Sequence, residues 1–324
     1  MSNLKGVLFA LVAFAIFATH DVLIKALGGT YAAFQLIFFS TLLSFPLVTF
    51  MLMRDATSGH LRPVHPWWTS VRTLAGVVGA SSAFYAFSAL PLAQVYAILF
   101  AAPLLITILS IPILGEKVRL RRWLAVIVGL IGVLVVLRPG SADLSLGHAA
   151  ALVAAIASAF ASIVVRKIGQ DERPIVLLLY PMAANFVVMA MILPFVYVPM
   201  PIEDLGMVGL ISVFGFIAGL VLIAAYKAGE AAIVAPMQYS QILWASLFGW
   251  FIFGETVDRY TALGAGIIIA SGLYIVLRES RGDTSKNTPV LRTRSRGDTA
   301  TSFRISTFLP GRLRGARQKD SPHA

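Results

Sequence analysis

Apolar residues run through this chain in blocks of about twenty, the length a membrane-spanning helix needs, each block ended by charges, glycine or proline. Ten blocks fall within residues 1–277: Val7 to Leu27, Ala32 to Met53, Trp67 to Leu90, Ala93 to Leu114, Trp123 to Leu137, Gly147 to Val165, Pro174 to Val198, Leu205 to Tyr226, Ala231 to Phe253 and Tyr260 to Leu277. The fifth is short, and Arg121 and Arg122 at its start can snorkel to the interface. The alternation of a barrel strand is absent, so the pattern predicts helices.

Positive charge is distributed unevenly around these blocks. One set of loops and helix ends holds Lys5, Arg54, Arg62, Arg72, Lys117, Arg119, Arg121, Arg122, Arg166, Lys167, Arg173 and Lys227; the other holds Lys25, Arg138 and Arg259. The positive-inside rule then puts both termini in the cytoplasm.

An offset of 139 residues brings parts of the chain into register. Gly115-Glu116 falls on Gly254-Glu255, Gly76 on Gly215, and Ala86, Ala89, Ala93, Val95, Leu104, Ile113 and Val118 on identical residues. Spans three and four thereby land on eight and nine. A repeat of five spans is odd, so its second copy inserts upside down, an arrangement that sets a binding site near the midplane between halves. The expected fold is an all-α integral membrane protein of ten transmembrane helices in two inverted five-helix repeats, residues 4–137 and 147–277.

Composition narrows the class. Charged residues are 13% and the hydrophobic set 58%, with a mean hydropathy of +0.84. Such a surface requires lipid rather than water. The net charge of +11 lies mostly in residues 278–324, where eleven Lys and Arg face four acids. That segment, with Ser-Arg-Gly-Asp-Thr at Ser280 to Thr284 and again at Ser295 to Thr299, reads as a disordered cytoplasmic tail suited to anionic lipid rather than nucleic acid. The chain has no cysteine.

The phrase Ala89-Leu90-Pro91-Leu92-Ala93-Gln94 entering span four, Pro103 within it, the Gly115-Glu116 exit and the counterparts at Ala228 to Ala232 and Gly254-Glu255 resemble the ten-span drug/metabolite transporter superfamily in its EamA-type branch. The likeness covers Leu4 to Leu277. It implies transport of a small molecule, within a family whose members move amino acids, nucleotide derivatives, vitamins, dyes and drugs. A riboflavin-carrying branch is similar in length, which makes riboflavin uptake across a bacterial inner membrane the expected function and export of amino acids or drug-like metabolites the alternative. Where family halves often carry Arg in span two, this chain has Gln35, which argues against an obligatorily anionic substrate.

Candidate residues are polar groups inside spans, where ionisable side chains are costly and face cavities. Span one carries His20, Asp21 and Lys25. Asp21 and Lys25 are i and i+4, so they form either a helix-face ion pair or a coupling or gating group, with His20 a proton relay or a packing residue. Arg72 either joins that group or snorkels. Glu116 and Glu255 read as structural helix ends. Gln94, Tyr96 and Phe100 precede Pro103, and Gln238, Tyr239, Gln241 and Trp244 follow Pro236; amide donors beside aromatic faces suit a flat heterocycle. Tyr180 and Asn185 in span seven offer the same groups.

No His-Glu-x-x-His, Gly-x-Ser-x-Gly or Gly-x-x-x-x-Gly-Lys-Ser/Thr motif is present, so the chain is read as neither an enzyme nor an ATPase. No cofactor and no metal are expected. The partners expected are the bilayer, a small molecule and, as an open choice, a second copy of the chain.

Overall fold

A computed structural model describes residues 3–53, 61–115, 118, 120–139, 144–169, 171–228 and 234–280. Every regular element among them is helical. The order is α1 (Asn3–Gly28), α2 (Ala33–Met53), α3 (Pro66–Ala89), α4 (Leu92–Leu99), α5 (Ala102–Leu114), α6 (Leu120–Leu137), α7 (Leu146–Ile168), α8 (Pro174–Val196), α9 (Ile202–Ala228), a 3-10 turn η1 (Ala235–Tyr239), α10 (Ser240–Phe253) and α11 (Arg259–Ser280). The tail expected from 278 therefore begins in helix, and residues 281–324 lie outside the described residues.

Among the described residues six segments are long and apolar enough to cross a membrane: Leu4–Gly28, Ala33–Phe50, Leu92–Leu114, Leu146–Ile168, Val176–Val196 and Ile202–Ala225. Trp123–Leu137 and Arg259–Ile275 are shorter apolar helices. Of the other two expected spans, α3 has the length, but Arg72 and its serines and threonines dilute its hydropathy. The ninth is divided between η1 and α10. Leu124, Ile127, Val128, Ile131 and Leu134 on α6 and Phe251 on α10 are exposed; these are faces for acyl chains.

Span four also differs from the expected single helix. Phe100 and Ala101 interrupt it, with Pro103 at the start of α5; proline has no N–H to continue the ladder. Pro236 sits in the same way at the start of η1. Gly115 (φ 70°) and Gly254 (φ 65°) close α5 and α10 in the left-handed conformation that terminates helices.

The principal helix contacts are α1 with α9, α3 with α7, α6 with α11 and α2 with α8; α4 crosses α10, and α1 packs on α10 as α5 packs on α7. Glycines set the closest approach. A Cβ at Gly264 would lie 2.6 Å from the Gly132 carbonyl oxygen, and one at Gly132 2.9 Å from that of Gly264, so α6 and α11 touch backbone to backbone. Gly264→Ala should cost about 1–3 kcal/mol as an overpacked contact, read as a lower unfolding temperature of the purified protein. Gly266→Ala, with no atom within 4 Å of the added carbon, should leave that temperature unchanged.

Loops are tied at both ends. At the end holding Lys25, the Tyr31 hydroxyl donates to Asp204 at 2.5 Å, Gln35 bonds both the carbonyl and the N–H of Val198, and Arg138 meets Asp258 at 3.1 Å. The Asp204 bond pushes the Tyr31 pKa up to about 12, so this phenol remains a donor at physiological pH. Burial would raise the Asp258 pKa, but bonds from Thr261 and Tyr260 and the charge of Arg138 together hold it below the usual range. At the opposite end the His65 N–H donates to Glu172 and Lys167 donates to the Ile113 carbonyl.

Candidate functional site

Asp21 and His20 are both 0% exposed, and their place on α1 brings them against α4. The His20 Nδ1 lies 2.7 Å from Asp21 Oδ1, and the Tyr96 hydroxyl donates to Asp21 Oδ2. Gln241 of α10 donates in turn to the Tyr96 oxygen at 3.4 Å. A buried carboxylate is tolerable only with such partners. The link therefore runs α10 to α4 to α1, joining residues more than 140 positions apart in sequence.

Aromatic rings surround it. Phe87 meets Tyr96 edge-on at 5.5 Å, Tyr96 and Phe100 are tilted at 6.0 Å, and Phe100 meets Tyr239 edge-on at 5.0 Å. The break after Leu99 and the η1 turn put Phe100 and Tyr239 at facing positions. Tyr239 is seated against α11, where a Cβ at Gly272 would fall 1.8 Å from its hydroxyl. Acid, hydroxyl, amide and imidazole in an apolar shell can hold or pass a proton, and the rings can accept a flat or cationic group.

Lys25, read as either a helix-face partner of Asp21 or a gating group, finds its ion pair elsewhere. It reaches Glu255, beyond the end of α10, at 2.8 Å, donates to the Leu90 carbonyl at 2.6 Å and lies over the Phe253 ring. Glu255 also accepts from the Leu92 N–H at 3.1 Å, and Gly249 leaves room for it, since a Cβ there would come within 3.0 Å of the carboxylate. A helix end in the sequence reading, Glu255 thus fastens α1, the α3–α4 turn and the α10–α11 turn. Beside this node lies a small open cleft, lined by Pro91, Gln94, Ser246, Asp258 and Thr261 among others.

The remaining candidates are dispersed. Gln94 is half-buried, its side-chain amide 2.9 Å from His148 Nε2. The Ser145 N–H donates to His148 Nδ1, so Nε2 carries the ring proton and bonds the Gln94 amide when that amide is turned to present its oxygen. Trp244, stacked on Phe248, and Ser240, one turn before it, each hold a buried polar atom with no hydrogen-bond partner among the described residues. Ser240 was not singled out from sequence. Gln238 is half-buried on η1, and Asn185 is buried with its Oδ1 unpartnered among the described residues.

Three further positions are engaged elsewhere. Arg72 does not snorkel: its guanidinium bonds the Leu177 carbonyl of α8. Tyr180 is exposed and reaches the Leu61 carbonyl, apart from the Asp21 group. Gln35 is spent on Val198. Glu116 lies outside the described residues, and among the described residues no three His, Asp or Glu come together as a metal site.

Apolar helices long enough to cross a bilayer, packed around a buried polar group, make this a multi-pass membrane protein. The chain belongs to the EamA-like transporter family, whose profile matches residues 4–138 and again 145–277. It is 26% identical over 288 residues to the S-adenosylmethionine uptake transporter of Rickettsia prowazekii, covering 88% of this chain and 96% of that one. It is 27% identical over 281 residues to the pseudopaline exporter CntI of Pseudomonas aeruginosa UCBPP-PA14, with 86% and 98% covered. The riboflavin transporter of Rhizobium johnstonii shares 26% over 227 residues, covering 68% of this chain and 74% of that protein.

Proposed function

We propose that the chain is a secondary transporter of the bacterial inner membrane that takes up a small cationic metabolite of the S-adenosylmethionine class. The observation that carries this reading is the Asp21–Tyr96–Gln241 link, fully buried within the rings of Phe87, Phe100 and Tyr239. Aromatic faces attract a desolvated cation such as a sulfonium and stack with a purine. Both oxygens of Asp21 are taken by His20 and Tyr96, so the carboxylate is assigned to coupling and the rings, with Gln94, Gln238, Gln241 and the unpartnered Trp244 and Ser240, to the substrate. The relative that imports S-adenosylmethionine, matched over nearly its whole length, supports the substrate class.

Two inverted halves are part of the proposal. The double family match, the paired left-handed glycines 139 residues apart and the exchange-symmetric contacts, α1 with α9 against α7 with α3, support it. Cytoplasmic termini are supported by the twelve-to-three division of basic residues. Riboflavin is the second reading, favoured by the uncharged amides and by one relative.

Binding separates the two. Labelled S-adenosylmethionine should bind the purified protein and resist competition by riboflavin, and Tyr239→Ala should weaken it about tenfold, in keeping with the ~1–2 kcal/mol of a ring against a cation. Displacement by riboflavin at lower concentration than by unlabelled S-adenosylmethionine would install the second reading.

A further inference from the structure

We infer that the cleft between α4 and α10 is the mouth of the transport path at the Lys25 end, and that the Lys25–Glu255 pair is the latch that seals it from Asp21. The inference rests on the Asp21 group being the transport site, and not on which metabolite occupies it.

Register places the three layers. Gln94, Ser246 and Glu255 line the cleft, and Ala93 and Ala245, at 5% and 1% exposure, form its floor. Three and four residues away on the same two helices lie Tyr96 and Gln241, bonded to each other; a spacing of three or four is one helical turn on one face. Lys25 likewise stands four residues beyond Asp21, about 6 Å along α1. The cleft, its floor and the buried carboxylate are therefore stacked one turn apart, and the pair lies beside the rim.

What closes the rim is charged and shared by separate elements. Glu255 accepts from Lys25 on one oxygen and from the Leu92 N–H on the other, while Lys25 also holds the Leu90 carbonyl. One ion pair thereby pins α1 and both turns that border the cleft. Its side chains are only 11% and 20% exposed, so losing one partner strands the other in a poorly hydrated place, and separation of the layers follows. Gln35–Val198, Tyr31–Asp204 and Arg138–Asp258 brace the same end, but Lys25 is the one that shares a helix with Asp21 at a spacing of one turn.

The chain has no cysteine, so a single introduced thiol reports its own accessibility. Ser246→Cys, in the cleft wall, is the reference and Gln241→Cys, below the floor, the probe, each reconstituted in liposomes and treated with a membrane-impermeant methanethiosulfonate. The reference should react fast and the probe slowly. Adding Lys25→Met or Glu255→Gln should speed the probe at least about tenfold, because removing one partner leaves the other uncompensated in a poorly hydrated place, with the reference unchanged; Lys25→Arg should keep the probe slow. Glu255→Gln retains an acceptor for Leu92, so it tests the latch with the turn intact. Equal probe rates with and without the pair overturn the inference, as does acceleration by Lys25→Arg equal to that by Lys25→Met. No substrate enters the measurement, so an error in the substrate class leaves its result untouched.

Discussion

Asp21→Asn is expected to abolish accumulation driven by a proton gradient while leaving exchange across the membrane in place. Asparagine has the shape of aspartate, can accept from the Tyr96 hydroxyl and can bond His20, so the contacts now made by the carboxylate are retained. What disappears is a group that can take up and release a proton inside the bilayer, where such groups mark coupling paths. Uptake at zero membrane potential should fall to the passive limit, and counterflow should persist within a fewfold of the original rate. Full concentrative uptake by the variant would reduce Asp21 to packing; loss of both activities would assign it to the substrate or to the fold.

Gly28→Ala should be nearly as damaging through sterics alone. An added Cβ would lie 2.2 Å from the Ser88 Cβ and 3.0 Å from its Cα, and a backbone atom cannot rotate away. Either α1 or α3 must move, and α1 carries both Asp21 and Lys25. The cost should be about 1–3 kcal/mol, seen as a lowered unfolding temperature and poor recovery from the membrane. Ser88→Gly in the same chain removes the opposing Cβ and should return most of the loss. A double variant no better than the single would show that the α1–α3 contact is not the cause.

Much of this was legible along the chain because lipid makes polar residues conspicuous. Asp21, Tyr96 and Gln241 stood out as polar groups in apolar blocks, whereas the breaks at Pro103 and Pro236 did not, because the apolar blocks run on through them. Partners were harder to read. The i, i+4 spacing of Asp21 and Lys25 suggested a local pair, yet each finds a better partner across helices, Tyr96 and Glu255, because a low-dielectric interior rewards hydrogen-bonded geometry over proximity in sequence. Arg72 went the same way, to the Leu177 carbonyl. Ser240 was invisible, since only its surroundings reveal that its hydroxyl lacks a partner.

As proposed, this chain alone moves a small cation through the Asp21–Tyr96–Gln241 junction. Counterflow tests it most directly: purified protein in liposomes preloaded with unlabelled S-adenosylmethionine, with labelled compound outside and no nucleotide present. A transient rise of label inside is expected, diminished in Tyr239→Ala and preserved in Asp21→Asn. No rise with correctly inserted protein, for S-adenosylmethionine and for riboflavin alike, would contradict it.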